Sequence, residues 1–309
     1  FDPLVKPLEE MSHELSRVWS PVSHLQSVLD SAGWRDAYNA SLPLMTEYGT
    51  ELSQNQALQE AFVEVEATMP DDATEAERKL IEHTLRDFRL SGVTLPDGDK
   101  ARYREIMQEI ATLRATFDQN VQDATDAWHF HTINKADILG IPEMVKTRAA
   151  ADARTEGAAG WWFKLDYPNY HAVMTHGAVR SVRETFCRAW VTRASDQGAS
   201  PDWDNSDIMD RILAMRHEAA NLVGFDHYAD YSLATKMAGN VDEVLEFLTE
   251  LALRSQDSAA RELAAIQSLA EEPLAAWDVS YFLEQLKQKK FSISDEELRK
   301  YFPFSAVKQ

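Results

Sequence analysis

Between residues 99 and about 131, apolar side chains recur at Tyr103, Ile106, Met107, Ile110, Leu113, Phe117, Val121 and Trp128. Steps of mostly three and four residues draw one stripe down a helix, while Glu105, Glu109, Arg114 and Asp118 fall on other faces. A helix of about 30 residues reaches about 45 Å, well beyond an average globular helix. Such an element buries its stripe only by lying across several neighbours. The chain around it must therefore be a helical assembly of some size, and 309 residues supply one large domain or two ordinary ones. Gly and Pro number only 11 each, too few for the many tight turns of an all-β fold.

Helical spacing continues on both sides of that stripe. Residues 4–30 and 34–68 read as helices, with breaks or kinks at Pro21 and Pro43. Thr74 is placed to cap a helix whose first turn carries Glu75 and Glu77, and Gly92 suits its end. A short helical pattern spans residues 143–151, and periodicity resumes near Tyr170. Residues 205–223 form a helix ended by Gly224, and residues 240–269 form another with Val244, Leu245, Leu248 and Leu251 facing inward. Residues 277–289 and 294–301 follow, the last opened by a capping box at Ser294 and Glu297. Trp161 to Leu165, bounded by Gly160 and Asp166, is the one clear strand. The expected fold is mainly α, an irregular multi-helix bundle with long antiparallel helices and at most a short strand or hairpin near residues 160–166. A junction in the Gly-rich region divides it into an N-terminal helical bundle, 1–132, and a second helical segment, 133–309. No period of 30 to 45 residues recurs, which excludes a regular helical repeat.

The formal charge of −20, from 31 basic and 51 acidic residues, repels phosphate backbones and anionic lipids. Nucleic acid and membrane surfaces are thus excluded as partners. Cys187 is the lone cysteine and sits in a helical apolar pattern, as a small buried hydrophobe. It cannot form an internal disulfide, which points to a reducing, cytoplasmic location. The chain begins at Phe1 without an initiator Met, as expected of a trimmed piece of something longer.

A helical zinc site of the His-Glu-x-x-His kind places two imidazoles one turn apart with a carboxylate beside the bound water. No histidine of this chain completes it. His217-Glu218 is followed by Asn221 where the second ligand belongs, and His13-Glu14 by Arg17. His24, His83 and His227 have no histidine four residues on. His171 and His176, five apart, face different sides of a helix. His129 and His131, two apart, would suit a strand, but the periodicity places them at a helix end. Nucleophile elbows and Gly-rich phosphate loops are absent as well. Tyr228 and Tyr231, three apart and near Lys236, line up on a helix. Their hydroxyls suit either a peptide carbonyl or half-buried packing. No catalytic, cofactor-binding or metal residue is assigned within the chain.

Trp203-Asp204-Asn205-Ser206 and the run from Met215-Arg216-His217-Glu218 to Lys236-Met237-Ala238 resemble the oligopeptidase A and thimet oligopeptidase family. Further blocks agree in order: Trp19 to Leu25, Leu85 to Phe88 with Ser91-Gly92, Thr192 to Gly198, Trp277 to Tyr281, and Ile293 to Arg299 with Tyr301 to Pro303. They cover essentially the whole chain, though the spacing at Ala270 to Pro273 is shorter than the family pattern. The resemblance implies a two-lobed helical zinc metallopeptidase that hydrolyses short unstructured peptides in a deep channel. It implies zinc held by a His-Glu-x-x-His helix and a downstream Glu, none of which this chain contains. The chain is then the N-terminal, non-catalytic half, a channel wall, inactive alone and prone to self-association. The competing expectation is a non-enzymatic helical module that binds peptides or a partner protein.

Overall fold

In the computed structural model, which describes residues 3–29, 31–292, 298 and 301–303, Thr74 opens a helix with a complete capping box. Its hydroxyl accepts the Glu77 amide at 3.2 Å, and the Glu77 carboxylate takes the Thr74 amide at 2.8 Å. That helix is one of twelve α-helices among the described residues. In chain order they are α1 (Val5–Val28), α2 (Ala32–Ser53), α3 (Gln56–Ala67), α4 (Glu75–Leu90), α5 (Asp97–Ala127), α6 (Glu143–Thr155), α7 (Tyr167–His176), α8 (Arg180–Thr192), α9 (Ser206–Leu222), α10 (Tyr228–Leu233), α11 (Val241–Gln267) and α12 (Val279–Phe291). Short 3-10 turns occupy Lys135–Ile138, Pro201–Trp203 and Ala276–Asp278. Two strands, β1 (His129–Thr132) and β2 (Trp161–Lys164), pair antiparallel with Phe130 opposite Phe163. The fold is therefore mainly α, and its strand at 161–164 lies where the aromatic run predicted one.

One local expectation is narrowed and three are corrected. Pro21 and Pro43 lie inside continuous helices, α1 and α2, which excludes a break at either proline and leaves the expected kink. The carbonyls that lose a partner there belong to Arg17 and Asn39, both exposed residues. The expected helix over 34–68 is two helices, because Asn55 turns out of the first and accepts the Leu58 amide to cap the second. Helix α5 stops at Ala127, and His129 and His131 stand in β1 instead of at a helix end. Finally, Leu245, Leu248 and Leu251 of α11 face outward, each more than half exposed. The apolar stripe is real, but among the described residues nothing covers it, and every residue from Leu245 to Ala264 is exposed. The expected capping box at Ser294 and Glu297 lies outside the described residues.

The chain forms two compact units interleaved in sequence, residues 1–119 with 205–245 and residues 120–204 with 246–309. In the first, Val5, Phe62, Ile81, Phe88 and Val93 make one core, and Tyr103, Ile106, Ile110 and Ala219 a second. The long stripe of α5 thus buries Tyr103, Ile106, Ile110 and Leu113 as its spacing requires. Gln54 bridges two segments, donating to the Ser91 carbonyl at 3.0 Å and accepting from Arg104 Nε at 2.8 Å. In the second unit, Phe163 and Phe186 are fully buried and meet edge to face. Trp128 and Phe130 pack on Phe186. Burying such a ring contributes roughly 1.5–3 kcal/mol, and this cluster ties the two-stranded sheet to α8.

Two turns hold that sheet in place through glycines at positive φ. Gly140 has φ +81, and a Cβ on it would lie 2.1 Å from the His176 carbonyl oxygen. Gly160 has φ +86, and its Cβ would meet the Thr132 oxygen at 2.3 Å. Replacing Gly140 by Ala combines backbone strain with a backbone clash. We expect Gly140→Ala to lower unfolding free energy by at least about 1–3 kcal/mol, read as a shifted urea midpoint. An unchanged midpoint would contradict this account.

Candidate functional site

The residues with most chemical promise in the sequence gather on α9 and α10 of the first unit. Tyr231 places its hydroxyl 3.2 Å from that of Tyr103, which also donates to the Leu90 carbonyl at 3.4 Å. Burial pushes the Tyr103 phenol well above its usual range, and the hydrogen bond with Tyr231 adds to it. Tyr228 lies 5.8 Å from Tyr231, ring to ring, and carries the Arg216 guanidinium 5.1 Å from its own ring centre. Lys236 does not join them: it donates back to the Ser232 carbonyl at 2.8 Å. The structure brings the two tyrosines together as packing and leaves the lysine apart.

Glu218 accepts both Arg102 Nε and Nη2, at 2.6 and 2.9 Å. The hydrogen bonds from Arg102 hold its carboxyl below the usual range. It is a fixed ion-pair partner bridging α5 and α9, while the adjacent His217 is exposed and lies 6.4 Å from His227, ring to ring. Histidines 13, 24, 83, 171 and 227 are likewise exposed, and His176 is half-buried. His129 stacks flat on Trp162 at 3.7 Å, and His131 meets the same ring at 5.5 Å. The His131 Nε2 lies 2.7 Å from the Ala159 carbonyl, which requires that nitrogen to carry the proton. Cys187 is buried, and burial pushes its thiol up, away from the reactive thiolate. Among the described residues, no group of three or more His, Cys, Asp and Glu side chains could hold a metal ion. The described residues therefore do not fit a zinc centre.

The most elaborate polar construction was not singled out from sequence. Asp278, only 1% exposed, receives Arg180 Nη2 at 2.8 Å, Arg183 Nη2 at 2.7 Å and the Ala275 amide at 3.0 Å. Arg183, 2% exposed, spends its other donors on the carbonyls of Trp277 at 3.0 Å, Gly177 at 2.8 Å and Ala178 at 3.3 Å. The Tyr281 ring lies 4.2 Å from its guanidinium carbon. Arg180 also pairs with Glu272 and donates to the Pro273 carbonyl. Burial pushes the Asp278 carboxyl up, but the hydrogen bonds from Arg180, the Ala275 amide and Arg183 outweigh it, so the group titrates below its ordinary value. Arg180 and Arg183 lie three apart on α8, a spacing visible in sequence, but their partner is more than 90 residues away. This network is a structural clamp; it has no free acid, base or nucleophile to offer a substrate.

Comparison with known proteins bears on what the chain does. A model of peptidase family M3 matches residues 173–309, and one of the neurolysin/thimet oligopeptidase N-terminal domain matches residues 1–100. Oligopeptidase A of Escherichia coli K12 is 42% identical over 314 residues, covering 98% of this chain and 46% of the relative. Oligopeptidase A of Haemophilus influenzae is 41% identical, with 99% and 46% covered. Probable cytosolic oligopeptidase A of Arabidopsis thaliana is 34% identical, with 98% and 45% covered. The chain thus spans about half the length of the curated relatives it matches.

Removing the clamp's carboxylate leaves Arg183 buried without a counter-charge. We expect Asp278→Ala to cost about 3–5 kcal/mol, measured by urea unfolding at neutral pH. Because the folded carboxyl titrates below its unfolded value, its contribution is present at neutral pH and is lost on acidification below about 4. The gap between wild type and Asp278→Ala should therefore narrow toward pH 3.

Proposed function

The chain belongs to peptidase family M3, in its oligopeptidase A and thimet oligopeptidase group, and from that premise we propose that it is the N-terminal, non-catalytic half of a zinc metallo-oligopeptidase. The reading is supported by the near-complete coverage of this chain against about half of each relative, with the N-terminal-domain match preceding the peptidase match. In the whole protein, zinc, its ligands and the general base would lie on segments outside these residues. No hydrolytic step is assigned to the side chains described above. The division into residues 1–132 and 133–309 is proposed as the organisation of this half relative to the whole protein. This half would form a wall of a channel that admits short unstructured peptides, in a reducing cytosol. No helix among the described residues is long and apolar enough to cross a membrane.

A second reading is a non-enzymatic helical module that binds peptides or a partner protein. It is favoured by a largely apolar groove of about 600 Å³ between α1 and α2, lined by Pro7, Met11, Leu15, Met45 and Tyr48 together with Glu10 and Glu14. The size is that of a small-ligand site, and methionines adapt to varied apolar partners.

The two readings separate on activity. The 309-residue chain supplied with zinc should show no turnover of a fluorogenic oligopeptide, whereas a family protein extended through the second half should cleave it. Turnover together with stoichiometric zinc in the short chain would refute the first reading. If neither form cleaves, the module stands. The stripe on α11 makes a further proposal for this chain by itself: two copies cover it by pairing. Light scattering should show mass rising with concentration, and Leu248→Glu with Leu251→Glu should return it to a monomer.

A further inference from the structure

In the second unit, a groove of about 550 Å³ lies between the Lys135–Ile138 turn and α6. Lys135, Lys146 and Arg154 line it against a single carboxylate, Glu143, in a chain whose net charge is −20. Glu143 pairs with Lys146 at 2.8 Å. Among the described residues, neither Lys135 nor Arg154 has an ion pair or hydrogen bond through its charged head.

Two acidic groups on the surrounding elements, Asp137 and Asp166, are committed elsewhere. Asp137 accepts from Thr132 Oγ1 at 2.6 Å and Asn134 Nδ2 at 3.1 Å. Asp166 takes Arg148 at 2.7 Å; Asp152 lies 4.0 Å from the same arginine, and its Oδ2 is buried without a hydrogen-bond partner. The walls between the cations are apolar: Trp161 of β2 and Leu139, the latter 57% exposed. A bare inorganic anion would use the charges and waste those walls. The volume is that of a site for a few side chains.

We propose that this groove binds a short acidic peptide segment, its carboxylates on Lys135 and Arg154 and a neighbouring apolar side chain against Trp161 and Leu139. The assignment rests on the groove's own residues and not on the peptidase reading. It gives a strongly acidic protein one place where acidic peptides are attracted.

Isothermal titration of the full 309-residue chain decides it. The probes are the acetylated tetrapeptide Leu-Asp-Glu-Phe, its uncharged counterpart Leu-Asn-Gln-Phe-amide, and inorganic phosphate. The charged peptide should bind, with the uncharged one weaker by about tenfold or more. Lys135→Gln with Arg154→Gln should cost the charged peptide a similar factor, and raised salt should weaken it too. Leu139→Asp, a change at an exposed site, should abolish binding. Equal affinity for the uncharged peptide, or full affinity in the double variant, overturns the proposal. So does phosphate binding as tightly as the peptide, which would make this a simple anion site, or no peptide binding at millimolar concentration.

Discussion

Two guanidinium groups and one carboxylate meet at Asp278; Asp278 and Arg183 lie almost entirely out of water, while Arg180 stays partly exposed. Taking such charges into a protein interior costs several kcal/mol per ion, and attraction alone does not restore it. The geometry does, because the Arg183 fork is nearly saturated. Its other acceptors, the carbonyls of Gly177 and Ala178, follow the end of α7, where helix carbonyls lack amide partners and favour a cation. Trp277 and Asp278 bring the segment before α12 to the same point. One residue on α8 thereby fixes the end of α7 and the start of α12. The aromatic cluster of Phe163 and Phe186 packs within the same unit.

Periodicity and punctuation made much of the fold legible. The Thr74 cap, the α5 stripe, the stop at Gly224 and the strand at Trp161 all follow from local chemistry, and local chemistry was enough. Other features depend on what lies opposite. The spacing of Leu245, Leu248 and Leu251 reveals an apolar face but not whether anything covers it. His129 and His131 carry no strand signal without Trp162 and Lys164 as cross-strand partners. Pro21 and Pro43 look like helix breakers until the exposure of Arg17 and Asn39 is known. Chemically, Cys187 was legible as a buried hydrophobe. The Arg180, Arg183 and Asp278 clamp was not, since its members are separated by most of a hundred residues.

Net charge and local charge act over different distances. At physiological salt, fields fade over about 8 Å, so the −20 total governs solubility and distant encounter. What a bound ligand feels is set by the groups within contact. Glu218 beside Arg102 shows one outcome, a charge neutralised by its nearest neighbour. Lys135 and Arg154 show the other, cations left standing in an acidic chain.

Helix α11 is the thermodynamic exception in the structure. Its residues from Leu245 to Ala264 gain little from neighbours, and its local support is the Asn240 cap and the Glu250–Arg254 pair. A helix supported mainly by its own backbone bonds opens and closes readily. Its amide protons should therefore exchange with solvent long before those of α8, even though both are fully helical. Whatever settles on that helix will announce itself as slowed exchange there, a signature independent of catalysis.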